Sequence, residues 1–86
     1  MPELSRFYGI VIRMFFNDHA PPHFHAFYGS DEAVFAIETL SLIAGRLPPR
    51  ATGLVVEWAS LRQSELTEAW KRAQSLEPPS RIEPLP

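Results

Sequence analysis

The fold is decided by residues 23–38, which read HFHAFYGSDEAVFAIE. Side chains alternate between the two faces of a strand, and the turn formers Gly29-Ser30-Asp31 divide this stretch, so it predicts a β-hairpin. The more apolar alternate set should face the core. That set comprises Phe24, Ala26, Tyr28, Ala33, Phe35 and Ile37. The opposite set, which includes His23 and His25, is then predicted to face outward.

The residues on either side of the hairpin predict further strands. Residues 7–16 are dense in β-branched and aromatic residues, and we interpret them as one strand with two largely apolar faces. The polar residues 1–6 ahead of it are expected to be frayed. Residues 17–22 predict a chain reversal, because their two prolines cannot donate to a ladder. After the hairpin, residues 42–44 predict a short fourth strand.

Helical periodicity begins after the strands. Pro48-Pro49 favours a helix start. Proline has no backbone N–H, and in the first turn of a helix that N–H would have no partner within the helix, so nothing is lost there. Apolar residues then recur at three- and four-residue spacing. We predict helices near Pro49–Arg62 and Ser64–Ser75, with Ser64 as an N-cap; one continuous bent helix is the alternative. The predicted class is α+β, with an antiparallel three- to four-stranded sheet followed by two helices packed on one face.

Length and composition limit the domain organisation and the function class. The 86 residues suffice for one domain, which we place at residues 1–76, followed by a Pro-rich extended tail at 77–86 that lies on a partner or in solvent. The absence of cysteine excludes disulfides and thiolate metal sites. With no secretory signal and no membrane span, a cytoplasmic location is expected. The net charge of −2 weakens any nucleic-acid-binding proposal.

All three histidines fall within residues 19–25, which makes this segment the candidate site. His23 and His25 project to the same face of a strand about 7 Å apart, a separation compatible with chelating one ion. His19 could add a third ligand, and Asp18 or Glu38 a carboxylate. No organic cofactor is expected, and a divalent metal ion is the open alternative.

Two other interpretations of the same histidines remain open. In metal-free acid–base catalysis, as in a small hydrolase or RNase, His19, His23 and His25 would move protons. Arg13, Arg46 or Arg50 would then neutralise phosphate charge. Alternatively, the histidines only orient a rigid turn and the protein works through its surface. Tyr28 and Trp58 are interpreted as core aromatics whose polar ends are satisfied at the edge.

The chain resembles a bacterial family named domain of unknown function 4160. The resemblance is carried by RFYGIVIRM at residues 6–14 and by NDHAPPHFHA at 17–26, with further matches at Ile37-Glu38-Thr39, Leu47-Pro48 and Glu57-Trp58. It covers the chain up to about Ala73 and implies no established activity. One departure is Leu40, where members of the family usually carry glycine.

The resemblance also implies a partner. Genes of the family are often paired with those of another small family, domain of unknown function 2442, in an arrangement similar to toxin–antitoxin modules. The preferred function is therefore that of an interaction or regulatory protein in such a pair. Self-association is the alternative to binding the neighbour-encoded protein. The predicted interface is the outer sheet face, because two helices can cover only one side of the sheet. Its apolar residues would be Val11, Phe15, Phe27, Val34 and Ala36.

Overall fold

A computed structural model describes residues 2–86 and shows an antiparallel sheet followed by two helices, which confirms the α+β class. The sheet is a meander of five strands in chain order, rather than the three or four predicted. Its strands are β1 (Glu3–Phe7), β2 (Ile10–Arg13), β3 (His23–Tyr28), β4 (Asp31–Ala36) and β5 (Leu42–Gly45). The helices are α1 (Pro49–Leu61) and α2 (Gln63–Gln74).

The additional strand comes from the N-terminal segment, where the prediction of one strand over residues 7–16 and a frayed lead-in was wrong. Residues 3–7 form β1, and a two-residue turn at Tyr8-Gly9 leads back into β2; Met1 lies outside the described residues. Both turn residues have positive φ, 49° and 81°, the pattern of a type I′ hairpin. Tyrosine rarely adopts this conformation, so the turn carried little sequence signal.

The β3–β4 hairpin forms as predicted, with Gly29 (φ 59°) at the first position of its turn. Five of the six residues predicted to face the core are buried, while Tyr28 is 39% exposed and is not a core aromatic. The predicted fourth strand is present as β5 and pairs with β4. Gly45 ends it at φ 73°, where a Cβ atom would lie 2.2 Å from the Glu32 carbonyl oxygen.

Helix α1 begins at Pro49 as expected and ends beside Arg62, which separates it from α2. The predicted N-cap at Ser64 was wrong: Arg62 occupies that position and makes no side-chain cap. Trp58 is completely buried and packs its ring against Phe7 and Phe24, so it is a core aromatic as predicted. The helices therefore cover one face of the sheet. The other face carries half-buried side chains, among them Val11, Phe27 and Val34.

Residues 77–86 form no helix or strand, yet they pack against the rest of the chain. Ile82 and Leu85 are buried, and the backbone N–H of Ile82 donates to the Leu4 carbonyl oxygen at 2.7 Å. The Trp58 indole N–H donates to the Glu83 carbonyl oxygen at 2.8 Å, which satisfies the one polar atom of that buried ring. The tail thus closes the core instead of extending into solvent. No helix among residues 2–86 has the length and apolar character needed to span a bilayer.

Candidate functional site

The β2–β3 loop carries Asp18 to the start of β3, beside the predicted histidines. Two hydrogen bonds fasten this loop to the end of α2. The Asn17 backbone N–H donates to the Ala73 carbonyl oxygen at 3.0 Å, and the Gln74 side-chain amide donates to the Asp18 carbonyl oxygen at 2.8 Å. The position of Asp18 is therefore set by residues more than fifty positions away along the chain.

His23 is buried, which corrects the prediction that it faces outward. Its ring packs against the Trp70 indole, with ring centroids 5.1 Å apart, because α2 reaches the end of the sheet at this point. Its Nδ1 atom lies 2.6 Å from the Pro21 carbonyl oxygen, and its Nε2 atom lies 2.9 Å from Oδ2 of Asp18. Both ring nitrogens of His23 thus face oxygen acceptors.

His25 lies two residues further along β3 and on the same face. Its Nδ1 atom lies 3.2 Å from a carboxylate oxygen of Glu32, and the Phe15 ring meets its imidazole edge-on with centroids 4.4 Å apart. Its Nε2 atom is buried, has no hydrogen-bond partner in the described part of the chain, and lies 3.7 Å from Oδ2 of Asp18. His25 and His23 therefore both direct Nε2 towards one carboxylate oxygen.

Asp18 is the centre of the cluster. Burial raises the pKa of its carboxyl, but hydrogen bonds from the His19 backbone and the His23 ring outweigh that effect, and the pKa lies below its usual value. Asp18 is therefore a carboxylate at neutral pH. His19 contacts its other oxygen, with Nδ1 3.1 Å from Oδ1, but the His19 side chain is 93% exposed.

An open groove of about 230 Å³ adjoins this cluster. The β2–β3 loop contributes His19, Ala20 and Pro21 to its lining, and β3 contributes His23 and His25. The rest of the lining consists of apolar residues of β4 and β5, namely Val34, Ile43 and Ala44. Within residues 2–86, no arginine or lysine lines this groove.

The other residues proposed from sequence lie elsewhere. Arg13 pairs across the strands with His25, but its guanidinium approaches Glu3 at 3.9 Å. Arg50 lines a separate cavity with Tyr8 and Tyr28. Neither Glu38 nor Arg46 lines the groove. Of the predicted metal ligands, Asp18, His23 and His25 are brought together, with one ligand atom of each lying within 4.8 Å of the others.

Three groups that contact His23 or His25 were not predicted from the sequence: the Pro21 carbonyl, Trp70 and Glu32. Of these, Glu32 had a usable signal. The hairpin register pairs His25 with Val34 and Phe27 with Glu32, so alternation places Glu32 on the same face as His25 and diagonal to it. The contacts from α2 and from the loop backbone depend on tertiary packing and had no such signal.

The chain was compared with known proteins. Neither the curated proteins nor the solved structures gave a match. The family model described as domain of unknown function (DUF4160) matches residues 9–71, which is well over half of the 86-residue chain. The matched span runs from the first hairpin turn into α2. It contains Asp18, His23 and His25, and also Glu32, whose carboxylate faces Nδ1 of His25. The chain therefore belongs to the DUF4160 family.

Proposed function

We propose that this chain is a cytoplasmic interaction protein and works as one half of a toxin–antitoxin-like pair. The proposed partner is a small protein encoded by a neighbouring gene and similar to domain of unknown function 2442. Membership of DUF4160 supports the proposal, because the resemblance to that family implies a paired gene. The observation that carries it is the unprotected edge of the sheet at β5.

Strand β5 pairs with β4 on one side, and within residues 2–86 no strand lies on its other side. All four of its residues are exposed, and Leu42 and Ile43 are 50% and 47% exposed. Proteins usually protect such an edge with charges, prolines or a covering segment, because unpaired backbone groups recruit other strands. The sequence Leu-Ile-Ala-Gly of β5 has no charge and no proline.

The opposite edge of the sheet is protected. Strand β1 carries the charged residues Glu3 and Arg6, and the tail lies beside it through the hydrogen bond from Ile82 to Leu4. The contrast between the two edges favours β5 as the docking strand. An extended segment of the partner would add to β5 as a sixth strand, with main-chain hydrogen bonds supplying affinity. Contacts to the half-buried outer residues Phe27 and Val34 would supply specificity.

Co-expression with the neighbour-encoded protein tests this proposal. The wild-type chain is expected to co-purify with it at a fixed ratio, and the Ile43→Lys variant to bind at least about tenfold more weakly, since it places a charge in the proposed interface. Leu61→Lys is the matched control, because Leu61 is 60% exposed but lies on α1. No complex with the wild-type chain, or equal weakening by the two lysine variants, would contradict the proposal. Sedimentation of the chain alone would reveal self-association through the same edge, which would replace the proposed pair.

A second candidate function is a small histidine-dependent hydrolase or RNase, favoured by the unpartnered Nε2 of His25 beside the Asp18 carboxylate. The RNase version is the weaker one, because the described groove residues include no cation to neutralise a phosphate. Incubation with RNA, comparing the wild-type chain with His25→Gln, separates the two functions. Cleavage that is lost in the variant would favour the enzyme over the interaction protein.

A further inference from the structure

We propose that Asp18, His23 and His25 form the binding site of one divalent first-row transition-metal ion, with Zn²⁺ as the test probe. The ligand atoms would be Oδ2 of Asp18 and the Nε2 atoms of the two histidines, the three atoms that converge in the structure. This inference goes beyond the proposed pairing and does not depend on it.

The hydrogen bonding of His23 supports a metal ion beside its Nε2 atom. A neutral imidazole has one N–H donor and one lone pair, whereas both nitrogens of His23 face oxygens that can only accept. A neutral ring can donate to only one of these two oxygens, and the shorter contact is the one of 2.6 Å from Nδ1 to the Pro21 carbonyl. Nε2 and Oδ2 of Asp18, 2.9 Å apart, are then held together by a shared hydrogen or by a metal ion. A metal ion between them would replace the hydrogen bond with two coordination bonds.

The arrangement of His25 supports the same metal ion independently. Its Nδ1 faces the Glu32 carboxylate, which can only accept, so this nitrogen carries the proton and Nε2 presents its lone pair. That Nε2 atom is buried, and no group of residues 2–86 forms a hydrogen bond with it. Buried polar atoms without a partner are uncommon in native proteins. An ion shared with Asp18 would satisfy it.

Both histidines also show the outer hydrogen bond that is typical of metal ligands. Metal-ligating imidazoles almost always donate their second N–H to a carbonyl or a carboxylate, which fixes the tautomer and the ring orientation. Here the Pro21 carbonyl serves His23 and the Glu32 carboxylate serves His25. The rings are further held by Trp70 and Phe15. The site is therefore preorganised on a strand and a fastened loop.

The distances suit a single small ion. Zinc bonds of about 2.0–2.1 Å in tetrahedral geometry imply ligand atoms about 3.3 Å apart. The two histidine nitrogens lie 2.9 and 3.7 Å from Oδ2 of Asp18, on either side of this value. One ligand atom of each of the three residues lies within 4.8 Å of the others, so modest side-chain adjustment would complete the geometry.

The donor set selects the class of metal. Two imidazoles and one carboxylate suit zinc, iron, cobalt or nickel, whereas calcium and magnesium prefer sites made entirely of oxygen. Three protein ligands leave at least one coordination position free, as in catalytic rather than structural zinc sites. The adjoining groove of about 230 Å³, which Ile43 and Ala44 also line, has space for a small uncharged ligand at that position.

The experiment measures binding by the full, untagged chain after treatment with a chelator. Zn²⁺ titration by calorimetry should give one site per chain, and Co²⁺ should give visible absorption bands that Zn²⁺ displaces. Asp18→Asn and His25→Gln should each weaken Zn²⁺ binding about 100-fold or more. Glu32→Gln, which alters only the outer hydrogen bond, should weaken it about 10- to 100-fold. His19→Ala is the matched control, because His19 is 93% exposed and outside the convergent set, and should leave binding unchanged.

Circular dichroism shows whether each variant is folded. Binding is compared only among variants that have the wild-type spectrum. Two different ligand variants are used so that one misfolded protein does not remove the test. The proposal is overturned if the folded wild-type chain binds no Zn²⁺ at one site per chain. It is equally overturned if folded Asp18→Asn and His25→Gln bind as well as wild type, or if His19→Ala loses as much affinity as they do.

Discussion

The Nε2 atom of His23 lies 2.9 Å from Oδ2 of Asp18, and this contact joins the β2–β3 loop to the first residue of β3. Asp18 also accepts the His19 backbone N–H at 2.9 Å. The Asp18 carboxylate therefore holds the loop as well as the proposed metal. Its hydrogen bonds with the His19 amide and the His23 ring do not require a bound metal.

Replacing Asp18 with alanine should destabilise the metal-free protein. The change leaves the buried Nε2 of His23 facing no partner and removes the acceptor of the His19 amide, and an unpaired buried polar group costs about 1–3 kcal/mol. We expect a decrease of that size in the free energy of unfolding, measured by urea denaturation at pH 7 with chelator present. Asp31→Ala, at the exposed β3–β4 turn, is the control and should change stability by less than about 0.5 kcal/mol. Equal effects of the two variants would show that the Asp18 contacts contribute nothing to folding.

Burial of the tail predicts a dependence of stability on Ile82. This side chain is 5% exposed, and its removal should leave a cavity beside Leu4 at a cost of about 2 kcal/mol or more. Glu83→Ala is the control, because the Glu83 carbonyl that accepts from Trp58 is retained in that variant. Urea denaturation of both variants measures the difference. A solvated tail would instead make Ile82→Ala as mild as Glu83→Ala.

Two glycines should respond to alanine in opposite directions. At Gly45, φ is 73° and a new Cβ atom would lie 2.2 Å from the Glu32 carbonyl oxygen, so Gly45→Ala should destabilise by about 2 kcal/mol or more. At Gly53, inside α1, a Cβ atom meets nothing within 4 Å, and alanine should stabilise the helix by about 0.5–1 kcal/mol. Thermal melts of both variants, followed by circular dichroism, give the two signs. A rise in melting temperature for Gly45→Ala would contradict the described backbone conformation at the end of β5.

The lowered pKa of the Glu3 carboxyl predicts that the stability of the protein depends on pH. Arg6 and, from the tail, Arg81 hold the pKa of its carboxyl at about 2, against an ordinary value of 4.5. A lowered pKa in the folded state means that the stabilisation is complete above pH 4.5 and is lost as the pH falls towards 2. The stability advantage of the wild-type chain over Glu3→Gln should therefore shrink between pH 5 and about pH 2. Urea midpoints of both proteins across this range test it, and a constant difference would contradict it.

Much of the fold was predictable because its signals are local. Alternation over residues 23–38 and the glycine of its turn predicted the central hairpin, and Pro49 marked the start of α1. The Tyr8-Gly9 turn was missed because a tyrosine at positive φ is uncommon and the flanking residues are continuously apolar. Leu40 has a positive φ of 60°, a backbone conformation that glycine adopts more readily than leucine, so nothing in its side chain predicted it.

The candidate site was predictable in its residues but not in its arrangement. The clustering of histidines in the sequence identified His23 and His25, and the neighbouring carboxylate of Asp18 was also named. The burial of His23 under Trp70 could not be foreseen, because α2 meets the loop only through tertiary packing. The same packing separates buried His23 from exposed His19, although the two lie four positions apart.

The proposed metal site requires that Asp18, His23 and His25 share one ion. The most direct measurement is X-ray diffraction from crystals grown with Zn²⁺, recorded on both sides of the zinc absorption edge. We expect one anomalous peak per chain, about 2.0–2.2 Å from Oδ2 of Asp18 and from Nε2 of both histidines. A peak bound by His19 without these atoms, or no peak at the cluster in Zn²⁺-saturated crystals, would contradict it.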